Sequence, residues 1–164
     1  ERNGEEIGFV LSVMSGEQDR IDIAQAAAQQ LQEIGINCTV DIPAQIDWGG
    51  QMACLIGWGS PFDADDHTYK VFGTDKGANY SSYSNEKVDE YLTLARQYED
   101  QETRAKYYDL FQEELAKDPA YAFICYIDAN YVADSDIKGI SEKTVLGHHG
   151  VGIFWNIQEW EIVK

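Results

Sequence analysis

Positive charge is scarce in this chain. Only 12 lysines and arginines stand against 29 aspartates and glutamates, a formal charge of −17 over 164 residues. Such a surface repels phosphate backbones and anionic membrane faces over a Debye length of about 10 Å, so no nucleic-acid partner is expected. Long apolar runs are missing as well. Nothing approaches the roughly 20 residues that cross a bilayer, and no direct membrane insertion of this segment is expected. Cysteine is sparse, and a total of three without C-x-x-C spacing excludes a complete disulfide framework. Cys38, Cys54 and Cys125 each stand in an apolar, strand-like setting. They read either as buried thiols packed as small hydrophobes, or, for Cys38 and Cys54, as one bridge between neighbouring strands. Glu1-Arg2-Asn3-Gly4-Glu5-Glu6 is charged where a signal peptide would be apolar.

What is present is a globular composition. With 44% apolar and 12% aromatic residues the chain is too hydrophobic for disorder. Its length fits one domain, able to remove about 70% of the unfolded surface from water. Ile7 to Met14 has strand character, and a Ser15-Gly16 turn leads to a helix from about Arg20 to Ile34. Asp19 is its expected cap, Ile23, Ala27, Leu31 and Ile34 its inward stripe, and Gly35 its left-handed stop. Ile36 to Ile42 follows as a strand, parallel to the first if the two are neighbours. Met52 to Trp58 reads as a third strand, apolar enough to be buried on both faces, and Lys70 to Tyr83 as mostly irregular.

Ser84 or Asn85 is placed to cap a helix with Val88, Leu92, Ala95 and also Tyr91 and Tyr98 inward; Asp100 opens another, carrying Tyr107 or Tyr108, Phe111 and Leu115, with Pro119 past its end. Ala122 to Val132 reads as an apolar strand, and Lys138-Gly139-Ile140 as a turn. The last segment, from Gly147, is rich in glycine, tryptophan and β-branched residues.

Two blocks stand apart from this generic pattern. Leu55-Ile56-Gly57-Trp58-Gly59-Ser60-Pro61-Phe62-Asp63-Ala64-Asp65-Asp66-His67 runs from an apolar strand through a Gly/Pro turn, beside a tryptophan, into a carboxylate cluster. Asn79-Tyr80-Ser81-Ser82-Tyr83-Ser84-Asn85-Glu86-Lys87-Val88-Asp89 is a polar-aromatic loop feeding an amphipathic helix. Together they resemble the second lobe of the family 5 solute-binding proteins of ABC importers, the dipeptide, oligopeptide and nickel receptors. The likeness runs over roughly residues 7–140. It implies an α/β fold, a class II periplasmic-binding-protein-like lobe with a mixed sheet flanked by helices. The whole chain, 1–164, would form a single lobe, with 147–164 a tail returning towards a first lobe.

The resemblance further implies a receptor, not an enzyme. A short peptide would be held by clamshell closure and delivered to ABC permease subunits, outside the cytoplasmic membrane in the periplasm or on a lipid anchor. A nickel chelate or an oligosaccharide is the alternative cargo, and a cell-surface sensing or adhesion module the alternative role. In peptide receptors like this chain, an aspartate shortly after the Gly-Trp pair meets the ligand's α-ammonium, because a charge-assisted bond sheltered from water is about twice as strong as a neutral one. Asp63 is the candidate for that role and Asp65 its rival; both could equally be helix-capping or solvated loop acids. Trp58 offers a flat apolar wall, or else a core indole. Asn79 and Tyr126 match positions that face the cleft in related receptors, though such residues also satisfy backbone groups.

Other chemistry has less support. A metal site would combine His67 with the neighbouring aspartates, or use His148 and His149, which point to opposite faces if they lie on a strand. No metal and no cofactor is expected. Acid–base chemistry would need two of the loop aspartates at a defined separation, or His67 as base to Ser60. No G-x-S-x-G, H-E-x-x-H, P-loop or G-x-G-x-x-G accompanies them.

Overall fold

The computed structural model describes residues 4, 6–59, 63–128, 130–141 and 152–163. The chain divides into two compact units, residues 1–57 and 58–164.

The first unit is a βαβ arrangement. Strand β1 (Ile7–Ser12) pairs in parallel along its whole length with β2 (Ile36–Asp41), and its far end pairs in parallel with the two-residue β3 (Ala53–Cys54), giving the order β2-β1-β3. Helix α1 (Gln18–Glu33) connects β1 to β2, and Gly35 at φ +83° ends it as expected. The helix is rotated from the expected stripe. Ile21, Ala24 and Ala28 are its buried residues, because Ile21 and Ala24 are the ones that meet Val13, with Leu11, Val40 and Leu55 around them. Ile34, past the last turn, is exposed. Nor is Asp19 the cap: Glu17 precedes the helix without a side-chain cap bond, and Asp19 lies in the first turn, where its charge suits the helix dipole.

The third strand is shorter and wetter than expected. Among the described residues β3 has a strand on one side only, and its two residues are half-buried, so it is not covered on both faces; Met52 beside it is 69% exposed. The strand order also settles the cysteine alternatives. β1 lies between β2 and β3, so Cys38 and Cys54 are not on neighbouring strands, and all three thiols are free. Cys38 is buried, Cys54 half-buried and Cys125 exposed, which corrects the expectation of three buried thiols.

The second unit is built on helices α2 (Asp65–Phe72), α3 (Glu86–Ala95) and α4 (Gln101–Lys117). Its core joins Val88 and Leu92 of α3 to Phe111 and Leu115 of α4, with Phe72, Tyr83, Tyr91 and Tyr108 packed around them. Asn85 caps α3 by accepting from the amides of Lys87 and Val88, and Asp100 caps α4 by accepting from that of Thr103. Tyr98 does not face inward. It is exposed and stacks on Tyr107 at 5.5 Å between ring centroids. Helix α2 replaces part of the segment expected to be irregular, and the two acids that open it, Asp65 and Asp66, form the favourable negative first turn.

Residues 122–128 do not form the expected strand. None of their amides bonds to the backbone of another described residue, and a run without a strand partner among the described residues cannot be counted as sheet. A small antiparallel pair, β4 (Ile137–Lys138) with β5 (Glu161–Ile162), follows, and a 3-10 helix (Gly152–Glu159) precedes β5. Parallel and antiparallel pairing therefore both occur, in separate sheets. Gly139 turns the chain at φ +86°, where a Cβ would collide with the Glu159 carbonyl, and buried Asn156 donates to the Gly139 carbonyl at 2.8 Å and accepts from the Trp160 indole at 3.1 Å.

Candidate functional site

Trp58 opens the second unit with its indole 39% exposed. Two rings brace it. Tyr80 stacks nearly parallel, 6.0 Å between centroids and 11° between planes, and His67 leans on it at 5.5 Å and 50°, both within the range of favourable aromatic pairs. His67 is only 7% exposed, and its Nδ1 lies 3.1 Å from the Gly59 carbonyl oxygen. Since a carbonyl only accepts, that contact puts the imidazole proton on Nδ1. His67 thus fixes the Trp58-Gly59 turn from α2. The other imidazole nitrogen, Nε2, is 3.9 Å from Asp66.

Asp63 lies two residues before α2. Its Oδ1 accepts from the Asp65 amide at 2.8 Å and from the Arg104 guanidinium at 2.7 Å. The Arg104 hydrogen bond, then the amide, hold its carboxyl below the usual aspartate range, and the same pair raises the already high Arg104 further. Asp65 faces a second arginine, its Oδ1 3.3 Å from Arg96 Nε. The guanidinium of Arg96 also lies 4.0 Å over the ring of Tyr69, a cation–π distance. Asp63, Asp65, Arg96, Tyr98 and Arg104 together enclose a polar hollow of about 220 Å³. The two candidate acids are therefore brought together, each against a cation of the protein itself.

Asn79 engages all its hydrogen-bonding positions within its own loop. Its amide donates to the carbonyls of Gly73 and Tyr83, and its oxygen accepts from the Tyr83 amide and the Ser81 hydroxyl. That geometry holds the loop carrying Tyr80. Tyr126 stands fully exposed in the irregular 122–128 segment and is not gathered with the others. Ser60, His148 and His149 lie outside the described residues. Among the described residues no group of three or more His, Cys, Asp and Glu side chains is arranged to hold a metal, and no helix is long and apolar enough to cross a membrane.

The sequence reading passed over Arg96, Arg104 and Tyr80. One signal for Arg104 was present: it sits in the first turn of α4, where the helix dipole disfavours a cation. An arginine in that position has a reason to seek a carboxylate elsewhere.

The chain is similar over 98% of its length to NikZ from Campylobacter jejuni, solved in complex with Ni(L-His), at 36% identity and a TM-score of 0.80; it covers 34% of that protein. All of it aligns with the oligopeptide-binding protein AppA of Bacillus subtilis, at 25% identity, covering 31% of AppA. AppA in complex with a nonapeptide superimposes at a TM-score of 0.71. The Streptomyces lividans protein XP55 is 31% identical over 149 residues, 28% of its length. No family model matches the chain. The chain thus spans about a third of the length of these relatives. The fold is that of a lobe of a periplasmic-type binding protein, a class of solute receptors and not of enzymes. The relatives that cover the chain are family 5 solute-binding proteins, the family that the two sequence blocks resemble.

Proposed function

We propose that the chain is the second, C-terminal lobe of a receptor that captures a short peptide outside the cytoplasmic membrane and passes it to an ABC permease. The half-exposed indole of Trp58, braced by Tyr80 and His67, carries this reading. Held by two rings, it is an apolar wall suited to covering extended peptide backbone. AppA, a relative over the whole chain, holds a nonapeptide. Residues 1–164 serve as one lobe, with 147–164 returning towards the other. Closure of the two lobes is selected because only the closed form contacts solute from both sides.

A nickel chelate is the second reading, favoured by the 36% identity to NikZ, whose structure holds Ni(L-His). In either case Trp58 is the wall, while Asp63, Asp65 and Asn79 shape the loops around it. Asp63 meets a ligand ammonium only by sharing its carboxylate with Arg104.

Calorimetry on the full-length parent with a nonapeptide, with nickel plus L-histidine and with an oligosaccharide tests the cargo. Peptide binding that weakens at least tenfold in Trp58→Ala is the expected result. Binding of nickel–histidine alone replaces the peptide reading, and binding of none of the three overturns the receptor assignment of this site.

A further inference from the structure

We propose that Arg96 and Arg104 are positioning residues for the Trp58 wall, acting through α2 without touching solute; this rests on the reading of Trp58 as a solute-facing residue.

Helix α2 has eight residues and buries only His67 and Val71. A helix of about two turns does not sustain itself in water, so its position is set by what grips it. Arg96 grips one face. Its guanidinium meets both the Asp65 carboxylate at 3.3 Å and the Tyr69 ring at 4.0 Å, and those two residues are four apart on α2. A single planar side chain at the end of α3 therefore spans a whole turn of α2. Arg104 grips the entry. It donates to the same Asp63 oxygen that accepts the Asp65 amide, closing the turn from which α2 begins.

His67 lies between the two gripped positions, Asp65 and Tyr69, and projects from α2 to the Gly59 carbonyl and the Trp58 ring. Displacing α2 by about 1 Å would lengthen that 3.1 Å contact beyond hydrogen-bonding range. The arginines, α2, His67 and the Trp58-Gly59 turn thus form one continuous chain of contacts. Lysine could supply the charge of Arg96 but not a flat group that pairs with a carboxylate and stacks on a ring together.

The test is indole and imidazole ¹⁵N NMR on the full-length parent, with the Trp58 signal assigned through Trp58→Phe. Arg96→Gln and Arg104→Gln are expected to move the Trp58 and His67 signals while the Trp48 indole stays in place. Arg96→Lys should give an intermediate shift. Asp65→Asn should reproduce the Arg96→Gln shift, and the double variant should add little to either, as for two members of one contact. Affinity for whichever of the nonapeptide and nickel–histidine binds should fall roughly threefold to thirtyfold. Trp58 and His67 signals unmoved in folded Arg96→Gln overturn the proposal; should that variant not fold, the same outcome in Arg96→Lys does so. Signals that move as expected while neither probe binds would leave the positioning role standing and remove the cargo assignment.

Discussion

A carboxylate oxygen that accepts from both a guanidinium and a backbone amide is held in its ionised form, and Asp63 is in that position. Its pKa is depressed on folding, so its contribution to stability is complete above the unfolded value of about 3.9 and is lost as pH falls through the lower folded value. Asp63→Asn should therefore be slightly less stable than the parent chain at pH 7, and the gap should close in acid below about pH 4. Urea midpoints measured from pH 7 to pH 2 check this, and a gap that stays constant across the range would show that the charge plays no part. The same residue shows where sequence reading stops. That Asp63 and Asp65 share one loop was legible from their spacing. That Asp63 meets an arginine 41 positions away was not, because such a pairing is made by helix packing and leaves no local pattern.

At the scale of elements, the legible parts were those whose stabilisation is local. The start and the buried stripe of α3 were legible because its cap and Val88, Leu92 and Ala95 lie within eleven positions of one another, although Tyr98, expected inward, lies past its end. Asn85 holds that cap and also donates to Asp118 at 3.1 Å. Asn85→Ala should cost about 1 kcal/mol, while Asn85→Ser, which keeps the acceptor, should recover most of it. A lower urea midpoint with an unchanged slope is the expected signature; equal losses in both variants would assign the effect to the Asp118 contact instead. Elements stabilised from a distance were misread. β3 depends on pairing with β1, and α2 on packing Phe72 against the core as well as on the ion pairs of Asp63 and Asp65 with Arg104 and Arg96, so neither length followed from its own residues. The phase of α1 was missed for a related reason: the alanine-rich helix offers two plausible apolar stripes, and only the position of Val13 chooses between them.

At the scale of the whole molecule, the run from Ala122 to Asp128 presents Phe123, Ile124, Tyr126 and Ile127 to solvent, with Tyr131 and Val132 exposed just beyond. Scattered exposed apolar residues need no explanation, but a contiguous set of this size is the mark of a surface that a partner covers. The run also has the composition of a strand, and its amides lack backbone partners among the described residues. Sheet formation needs a second strand, so composition alone predicted a strand that the described residues do not form. The relatives are about three times as long as the chain, and the remainder of such a polypeptide is the natural source of the covering strand. Hydrogen exchange compares the two situations directly. Amides of residues 122–128 should exchange close to the unprotected rate in the 164-residue chain and at least a hundredfold more slowly in the full-length parent, a protection of about 2.7 kcal/mol, while amides in α3 should be protected in both. Equal, fast exchange of the run in both proteins would mean that its apolar face is not an internal junction, and the surface would then belong to contacts with another molecule.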